Sequence, residues 1–442
     1  MGLFQQPARK ESAMVDSMTR RDFVKAAAAA GAAVGPFVIT RPGWSQTGSI
    51  KIGIVEPLSG PVAYIGEANV AGFRFGAERL NAAGGVLGRK IELVTADSEL
   101  KPDVATRRVN DLVLGEKVDF LAVNTGSNIA KAVSQVAAQN KKVFFSTGTE
   151  AAELTGEEFF ETTFRCCLNT DMHSAELAIY FTKLAPQKYA KFYLLNQDYN
   201  FGRAAADGFK KKFNRVKAGN QAIVGDEYHP LQKVQDFAPY VTKIMASGAE
   251  VLMTGDWGQD LRLLLQQGAA LGWKVKVGNY FLDDPTVAKG VGKPVVGQIT
   301  ADAYLCTVES PENKEFVKAW RARYPDAPVS YRVPSLTCGR CASAVVWLGD
   351  VVKRAGGLDT EKVIKAWENA KFKTLWGAEV EMRACDHQML TQGYVAEVLE
   401  PEKIPPDIRY FGTEFPYIGK PTLIAKDDIT VAPKETGNKR CA

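Results

Sequence analysis

Histidine is scarce. Three stand in 442 residues, His173, His229 and His387, and no two share the i, i+4 spacing that puts a pair of metal ligands on one helix face. The chain also lacks a G-x-S-x-G elbow, a G-x-x-x-x-G-K-[ST] loop and an H-E-x-x-H helix. Those absences remove the usual signatures of serine hydrolases, P-loop nucleotidases and zinc peptidases. A hydrolase using Ser127 with His173 would need a group to orient the base, and no such constellation is visible. The formal net charge of +5 is spread without a long basic run, so nothing points to nucleic acid. Downstream of residue 50 no uninterrupted apolar stretch reaches about 18 residues, which excludes a membrane-embedded helical body. Gly84, Gly85 and Gly88 follow a helix-like stretch rather than a strand, so they are not a dinucleotide fingerprint. The expectation is a protein that is not an enzyme and holds no metal or cofactor.

What is present begins with the amino terminus. Thr19-Arg20-Arg21-Asp22-Phe23-Val24-Lys25, followed by an Ala/Gly-rich apolar run to about Ile39, resembles a twin-arginine export signal. Residues 1–49 are therefore read as a signal region, with the mature chain starting near residues 40–50 in the periplasm. An exported chain can hold disulfides, and seven cysteines are available. Cys166 and Cys167 are adjacent, Cys338 and Cys341 form C-x-x-C at the start of a helical pattern, and Cys306, Cys385 and Cys441 are scattered. Idle buried thiols are the expected state, with disulfides of unreadable connectivity as the alternative. A zinc set of Cys338, Cys341, Cys385 and His387 is not forced by the spacing.

From Ile50 the pattern alternates strand and helix. Strands are expected at 50–55, 91–96, 120–123 and 143–145, with helices between them over residues carrying Val70, Phe73, Ala77 and Leu80, over 102–115 and from about Ser127. A second series follows Phe164-Arg165, with strands at 191–195, 221–227, 251–254 and 275–278 separated by helices at 173–184, 201–213, 237–247 and 258–271. Helices then dominate at 313–324, 335–355 and 360–369, before a β-like segment at 393–400 and a Pro-rich tail expected to lie extended on the surface. Two such series imply two doubly wound parallel sheets.

The stretch from Phe120 to Thr155 organises the first series. It reads strand, helix, strand, with small polar residues at both carboxyl-end turns: Asn124 to Ser127, and Ser146 to Thr149. In an open parallel sheet ligands bind just outside the carboxyl ends of strands, where helix amino termini present free N–H groups and a positive dipole end. Both turns should face one crevice, although Ser127 alone could be a plain helix cap.

In their order and spacing, SGPVAYIG, LNAAGGVLGRKIELVTAD, the Ser127 turn, AAELT before Phe164-Arg165, QDYNFG, GDWGQD and RACDHQ resemble the leucine/isoleucine/valine-binding protein family, from about Ile50 to about Val398. That family is the solute-binding component of branched-chain amino acid type ABC importers. The resemblance implies an α/β type I periplasmic binding fold, two doubly wound lobes joined by a multi-crossing hinge. The lobes are drawn at 50–168 plus 304–392, and 169–303 plus 393–442, with Asn169, Thr170 and Asp171 on the hinge or its rim.

The resemblance also implies site residues. Ser127 falls where a serine at a helix start grips a ligand carboxylate, and Gly148 where a carbonyl accepts from a ligand ammonium. Thr149 and Glu150 follow it, Glu150 replacing a small hydroxyl residue. Phe201 and Trp257 fall on cleft aromatics, and Tyr64 on the cleft edge. Tyr280, across a one-residue gap, stands where the family has an acid for the ammonium. A zwitterion would then need Glu150 to face the cleft; otherwise an aromatic or other small organic acid fits better. The implied function is capture of a small carboxylated ligand for an ABC permease by a monomer, with a periplasmic sensor of the same fold as the alternative.

Overall fold

The structure, a computed structural model, describes residues 48–185 and 187–442. The twin-arginine segment and the expected start of the mature chain at residues 40–47 lie outside the described residues. The described residues belong to one compact unit.

Two sheets form its framework. The first contains β1 (Ile50–Glu56), β2 (Ile91–Asp97), β3 (Phe120–Val123), β4 (Val143–Ser146) and β5 (Thr163–Arg165), extended by β11 (Lys371–Lys373), β12 (Glu379–Arg383) and β13 (Gln388–Leu390). Its order is β11-β12-β13-β5-β4-β3-β1-β2. β1 to β5 pair in parallel, and β11 to β13 add an antiparallel meander at one edge. The second contains β6 (Lys191–Gln197), β7 (Ala222–His229), β8 (Val251–Thr254), β9 (Lys276–Asn279), β10 (Ile299–Asp302), β14 (Gly393–Leu399), β15 (Tyr417–Ile418) and β16 (Thr422–Ile424). Its order is β15-β14-β10-β9-β8-β6-β7, with β16 also on β14. β3, β4 and β8 are buried at every position, the pattern of central parallel strands covered on both faces.

The helices follow the same logic. α1 (Ala63–Ala82) packs along the late helix Leu336–Ala355. Contact is close because glycines sit at the seam: a Cβ at Gly72 would stand 2.3 Å from the Cys338 carbonyl oxygen, and one at Gly76 2.5 Å from that of Ala342. Any larger residue there would push the helices apart. The remaining site helices are α2 (Pro102–Asn110), α3 (Ser127–Gln139), α4 (Thr170–Ile179), α5 (Asn200–Val216), α6 (Ala238–Ala246), α7 (Gly258–Ala270), α8 (Pro285–Val291), α9 (Pro311–Arg323) and α10, the helix Leu336–Ala355.

The chain passes between the sheets at several points: from β5 into α4, from β10 toward α10, and from β13 directly into β14 across Thr391 and Gln392. Asn169 lies on the first passage and caps α4 by accepting from the Met172 N–H at 3.0 Å. The Pro-rich tail is not an extended surface strand. β15 and β16 pair with β14, Tyr417 and Ile418 are buried, and the chain end returns to the first sheet, where Cys441 is disulfide-bonded to Cys385. Backbone pairing explains the difference: the short runs Tyr417–Ile418 and Thr422–Ile424 satisfy the free edge of β14, which periodicity over so few residues cannot reveal.

The remaining cysteines, Cys166, Cys167, Cys306, Cys338 and Cys341, are buried free thiols. A zinc set of Cys338, Cys341, Cys385 and His387 is not assembled. Cys385 is in the disulfide, and His387 is stacked on Phe164 with ring centroids 4.0 Å apart and its Nε2 3.0 Å from Glu368 Oε1.

Candidate ligand-binding site

Between the carboxyl ends of the two sheets lies a cavity of about 60 Å³, lined by residues from both. The first-sheet side supplies Tyr64, Ile65 and Ala68 from α1, Asn124 to Ser127 from the β3–α3 turn, Gly148 after β4, and Ser330, Ser335 and Thr337 ahead of and in the first turn of α10. The second-sheet side supplies Tyr199 and Phe201, Trp257 and Gly258, and Phe281, Asp284 and Pro285.

The β3–α3 turn is built from the inside. Gly126 has φ 90°, and a Cβ there would meet Ile129 Cγ1 at 2.9 Å, so glycine is required to swing the chain into the helix. Beneath it the buried carboxyl of Glu56 accepts from the backbone N–H groups of Asn124 and Thr125, and from Asn69 Nδ2 at 2.8 Å. Asn69 also donates to Thr125 Oγ1 at 2.8 Å, and Asn124 Nδ2 to Thr147 Oγ1 at 2.9 Å. Burial pushes the Glu56 carboxyl up to about 7, against the pull of those donors. The folded protein thus holds this proton more tightly than the unfolded chain, so stability falls as pH rises from about 4.5 to about 7 and then levels. In Glu56→Gln this contribution disappears: urea unfolding at pH 5 and pH 8 should show a smaller pH dependence than the native protein, and an unchanged difference would refute the assignment.

No side chain caps α3, whose N-cap is Gly126, so Ser127 is the first helical residue rather than the cap. The Ser127 hydroxyl accepts from the Ala151 N–H at 3.2 Å, which leaves its own proton and the terminal N–H groups of α3 for the cavity. α5 and α7 begin the same way, with Tyr199 and Trp257 at their N-caps and no side-chain cap. Three uncapped, positive helix ends therefore converge on one space.

The second-sheet wall is aromatic. Trp257 Nε1 donates to Tyr199 Oη at 2.9 Å, and the Phe201 ring lies 5.9 Å from that of Tyr199 and 5.8 Å from that of Phe281. No Lys, Arg or His among the described residues lines the cavity, and Asp284 is its only carboxylate.

Of the residues expected from sequence, Ser127, Gly148, Phe201, Trp257 and Tyr64 line this cavity, whereas Thr149, Glu150 and Tyr280 do not. Thr149 is turned inward, its hydroxyl bonded to Ser146 Oγ and its carbonyl accepting from Arg165 Nη1 at 2.8 Å. Tyr280 is buried, with its hydroxyl 2.9 Å from Ser174 Oγ. Glu150 does not line the cavity. It is fully buried, with Oε1 3.0 Å from Arg340 Nη1 and 3.3 Å from His173 Nε2. Burial would raise its pKa, but His173 and Arg340 together hold it below the ordinary carboxylate value. The same arginine nitrogen reaches Asp302 Oδ1 at 3.0 Å, and His173 Nδ1 lies 3.2 Å from Glu176 Oε2. Once a fully buried arginine stands beside it, the carboxylate pairs there rather than across an open cleft.

Tyr199, Phe281, Asp284 and the α10 residues were not anticipated. Tyr199 sits inside the quoted QDYNFG segment, and the Asp-Pro pair at Asp284-Pro285 is a recognisable helix start. Ser330, Ser335 and Thr337 have no local signal, because a return of the chain from the second sheet brings them to the site.

Residues 49–402 match the family model for periplasmic binding proteins, and residues 17–36 match that for twin-arginine translocation signal sequences. Leu/Ile/Val-binding protein homolog 4 of Brucella melitensis is 27% identical over 431 residues, covering 93% of this chain and 98% of that one. Among solved structures, the closed leucine-, isoleucine-, valine-, threonine- and alanine-binding protein of Brucella ovis superposes with a TM-score of 0.74 at 25% identity, covering 87% of this chain and 97% of that one. A solute-binding protein of an ABC transporter from R. palustris, in complex with benzoate, gives 0.71 at 23% identity, covering 79% and 93%.

Proposed function

From the premise that this chain belongs to the periplasmic binding protein family and is exported to the periplasm, we propose that it captures a small carboxylated molecule between its two lobes and delivers it to an ABC permease. The observation that carries the reading is the convergence of the uncapped amino termini of α3, α5 and α7 on a cavity lined by neutral donors and five aromatic rings. Helix ends and hydroxyls hold an anion without a counter-ion. The rings of Tyr199, Phe201, Trp257 and Phe281 supply apolar burial. The ligands in the name of the Brucella ovis protein and the benzoate held by the R. palustris protein have a carboxylate in common.

Closure follows from the arrangement. The ligand touches both walls only when the lobes are shut, so its binding energy favours the closed state over the open one. Micromolar affinity corresponds to about −8 kcal/mol, which a charged hydrogen-bond clamp and aromatic burial can supply.

A thermal-shift screen of amino acids, aromatic acids, short aliphatic acids and the matching amides tests this. A true ligand at 100 times its dissociation constant should stabilise by about 2.7 kcal/mol. Stabilisation by the amides alone would refute a carboxylate site. With a ligand in hand, Ser127→Ala should weaken binding about tenfold to a hundredfold, the worth of one hydrogen bond to a charged group. Calorimetry giving an unchanged dissociation constant would remove Ser127 from the grip.

A further inference from the structure

The cavity contains one carboxylate that the reading above leaves unused. Asp284 is 8% exposed and stands at the N-cap of α8. One oxygen, Oδ1, accepts from the Thr286 N–H at 2.8 Å, which accounts for the cap. The other, Oδ2, lies 3.0 Å from the hydroxyl of Tyr64, and this bond joins α1 of the first-sheet side to the β9–α8 turn of the second. Burial raises the Asp284 pKa, and the groups that act on it most after burial are Thr286, Tyr64 and Val287, none of them a cation. Arg262 is close enough to act on Tyr64, but its Nη1 donates to Gln266 Oε1 at 3.4 Å. A carboxylate withdrawn from water without a cation is costly, and in a cleft it points to function rather than packing.

We propose that Asp284, assisted by Tyr64, determines specificity by accepting a hydrogen bond from a protic group, an ammonium or a hydroxyl, on a small acid whose carboxylate is held at the start of α3; this rests on the carboxylate reading above. The grip on the carboxylate belongs to the first-sheet wall and Asp284 to the second. An acid with a donor therefore ties both lobes together through the second lone pair of Oδ2, beside the Tyr64 bond, whereas one without it leaves that lone pair against an apolar group. A site built to accept a hydrogen bond discriminates against the analogue that lacks the donor, because part of its own hydrogen-bonding capacity is then left unmet. Tyr280 needs no acidic replacement at its own position, since an acid four residues further along the chain lines the cavity.

The test is calorimetry on the mature protein with two matched pairs, leucine with 4-methylpentanoate and 4-hydroxybenzoate with benzoate, each also offered as its amide. The first pair probes an ammonium donor and the second a phenolic hydroxyl. In at least one pair the donor-bearing acid should bind ten times or more tighter than its partner. Asp284→Asn, which keeps a good helix cap, should reduce that ratio at least fivefold while changing the donorless acid less than threefold. Tyr64→Phe should reduce the ratio by a smaller factor. Equal affinities within both pairs, or a ratio unchanged in Asp284→Asn, would overturn the proposal and leave the carboxylate reading standing. Amides that bind as well as the acids would overturn the carboxylate reading and this proposal with it, whereas no binding by any compound would overturn both.

Discussion

Arg340→Ala is expected to lower the stability of the protein by about 3–5 kcal/mol, the range for removing one partner of a buried ion pair. The guanidinium is fully buried and its Nη1 lies 3.0 Å from both Glu150 Oε1 and Asp302 Oδ1. Taking it away leaves those two carboxylates in the interior with only His173 to balance them. The position amplifies the effect. Glu150 belongs to the turn that follows β4, Asp302 ends β10, His173 and Glu176 lie on α4, and Glu176 Oε1 accepts from the Tyr394 N–H at the start of β14 at 3.1 Å. The cluster thus sits where the chain passes between the sheets.

Urea unfolding at pH 7 measures the loss, and a change below about 1 kcal/mol would show the cluster to be energetically idle. The sign of the pH response is a second check. Without the arginine the two carboxylates should be eased by protonation, so the deficit relative to the native protein should shrink as the pH is lowered from 7 to 5. In the native protein burial raises Asp302, and raises Glu176 to about 7, while His173, which burial alone would lower, is carried to about 10 by Glu150. For these three groups the folded state holds the proton more tightly than the unfolded chain. Their contributions therefore decline with rising pH, through about 4 to 7 for the acids and about 6.5 to 10 for the histidine.

Cys441→Ser should lower stability by a similar amount, about 4 kcal/mol on the chain-entropy account of a disulfide. The bond to Cys385 closes a loop with a sequence separation of 56, which restricts the unfolded chain severely. In the native state it ends a segment that touches both sides of the molecule. Lys212 Nζ donates to the Asp428 carbonyl at 2.5 Å, and Arg215 pairs with Glu435 at 3.0 Å on the second-sheet side. Arg383 Nη1 donates to the Val431 carbonyl at 2.7 Å, Asn438 Nδ2 to the Thr155 carbonyl at 3.0 Å, and Arg440 pairs with Glu368 at 2.8 Å on the first. Apart from the disulfide and the buried Asn438–Thr155 bond these contacts are exposed or partly exposed polar ones, each worth little. The covalent link should therefore dominate. Urea midpoints with and without reductant settle the matter: reductant should bring the native protein down to the variant and leave the variant unchanged. Equal midpoints for native protein in both conditions would contradict this.

The strand–helix alternation was legible because each unit carries its own period. β8 was expected at 251–254 and is found at Val251–Thr254. α7 was expected at 258–271 and spans Gly258–Ala270. The short strands whose reason for existing lies elsewhere in the chain carry no such signal. β13 has three residues and meets the first sheet through Gln388 opposite Arg165, and β15 has two residues held by β14. Segments of that length carry no period to read.

The site divides in the same way. By itself the sequence determined that small polar turns would follow β3 and β4 and that Ser127 would open a helix, because hydrophobic period and turn chemistry are local properties. It also placed Phe201 and Trp257 at helix starts. Only the tertiary structure decided which charged side chain meets which. Glu150 lies two residues from Gly148, which lines the cavity, yet Arg340, 190 positions away, holds it where the chain passes between the sheets. Asp284 carries an ordinary helix-cap signal, yet Tyr64, 220 positions away, donates to its second oxygen at the wall of the cavity. A buried charge is stable only beside its partner, and where that partner stands is set by how the sheets and crossings assemble rather than by any neighbouring residue in the chain.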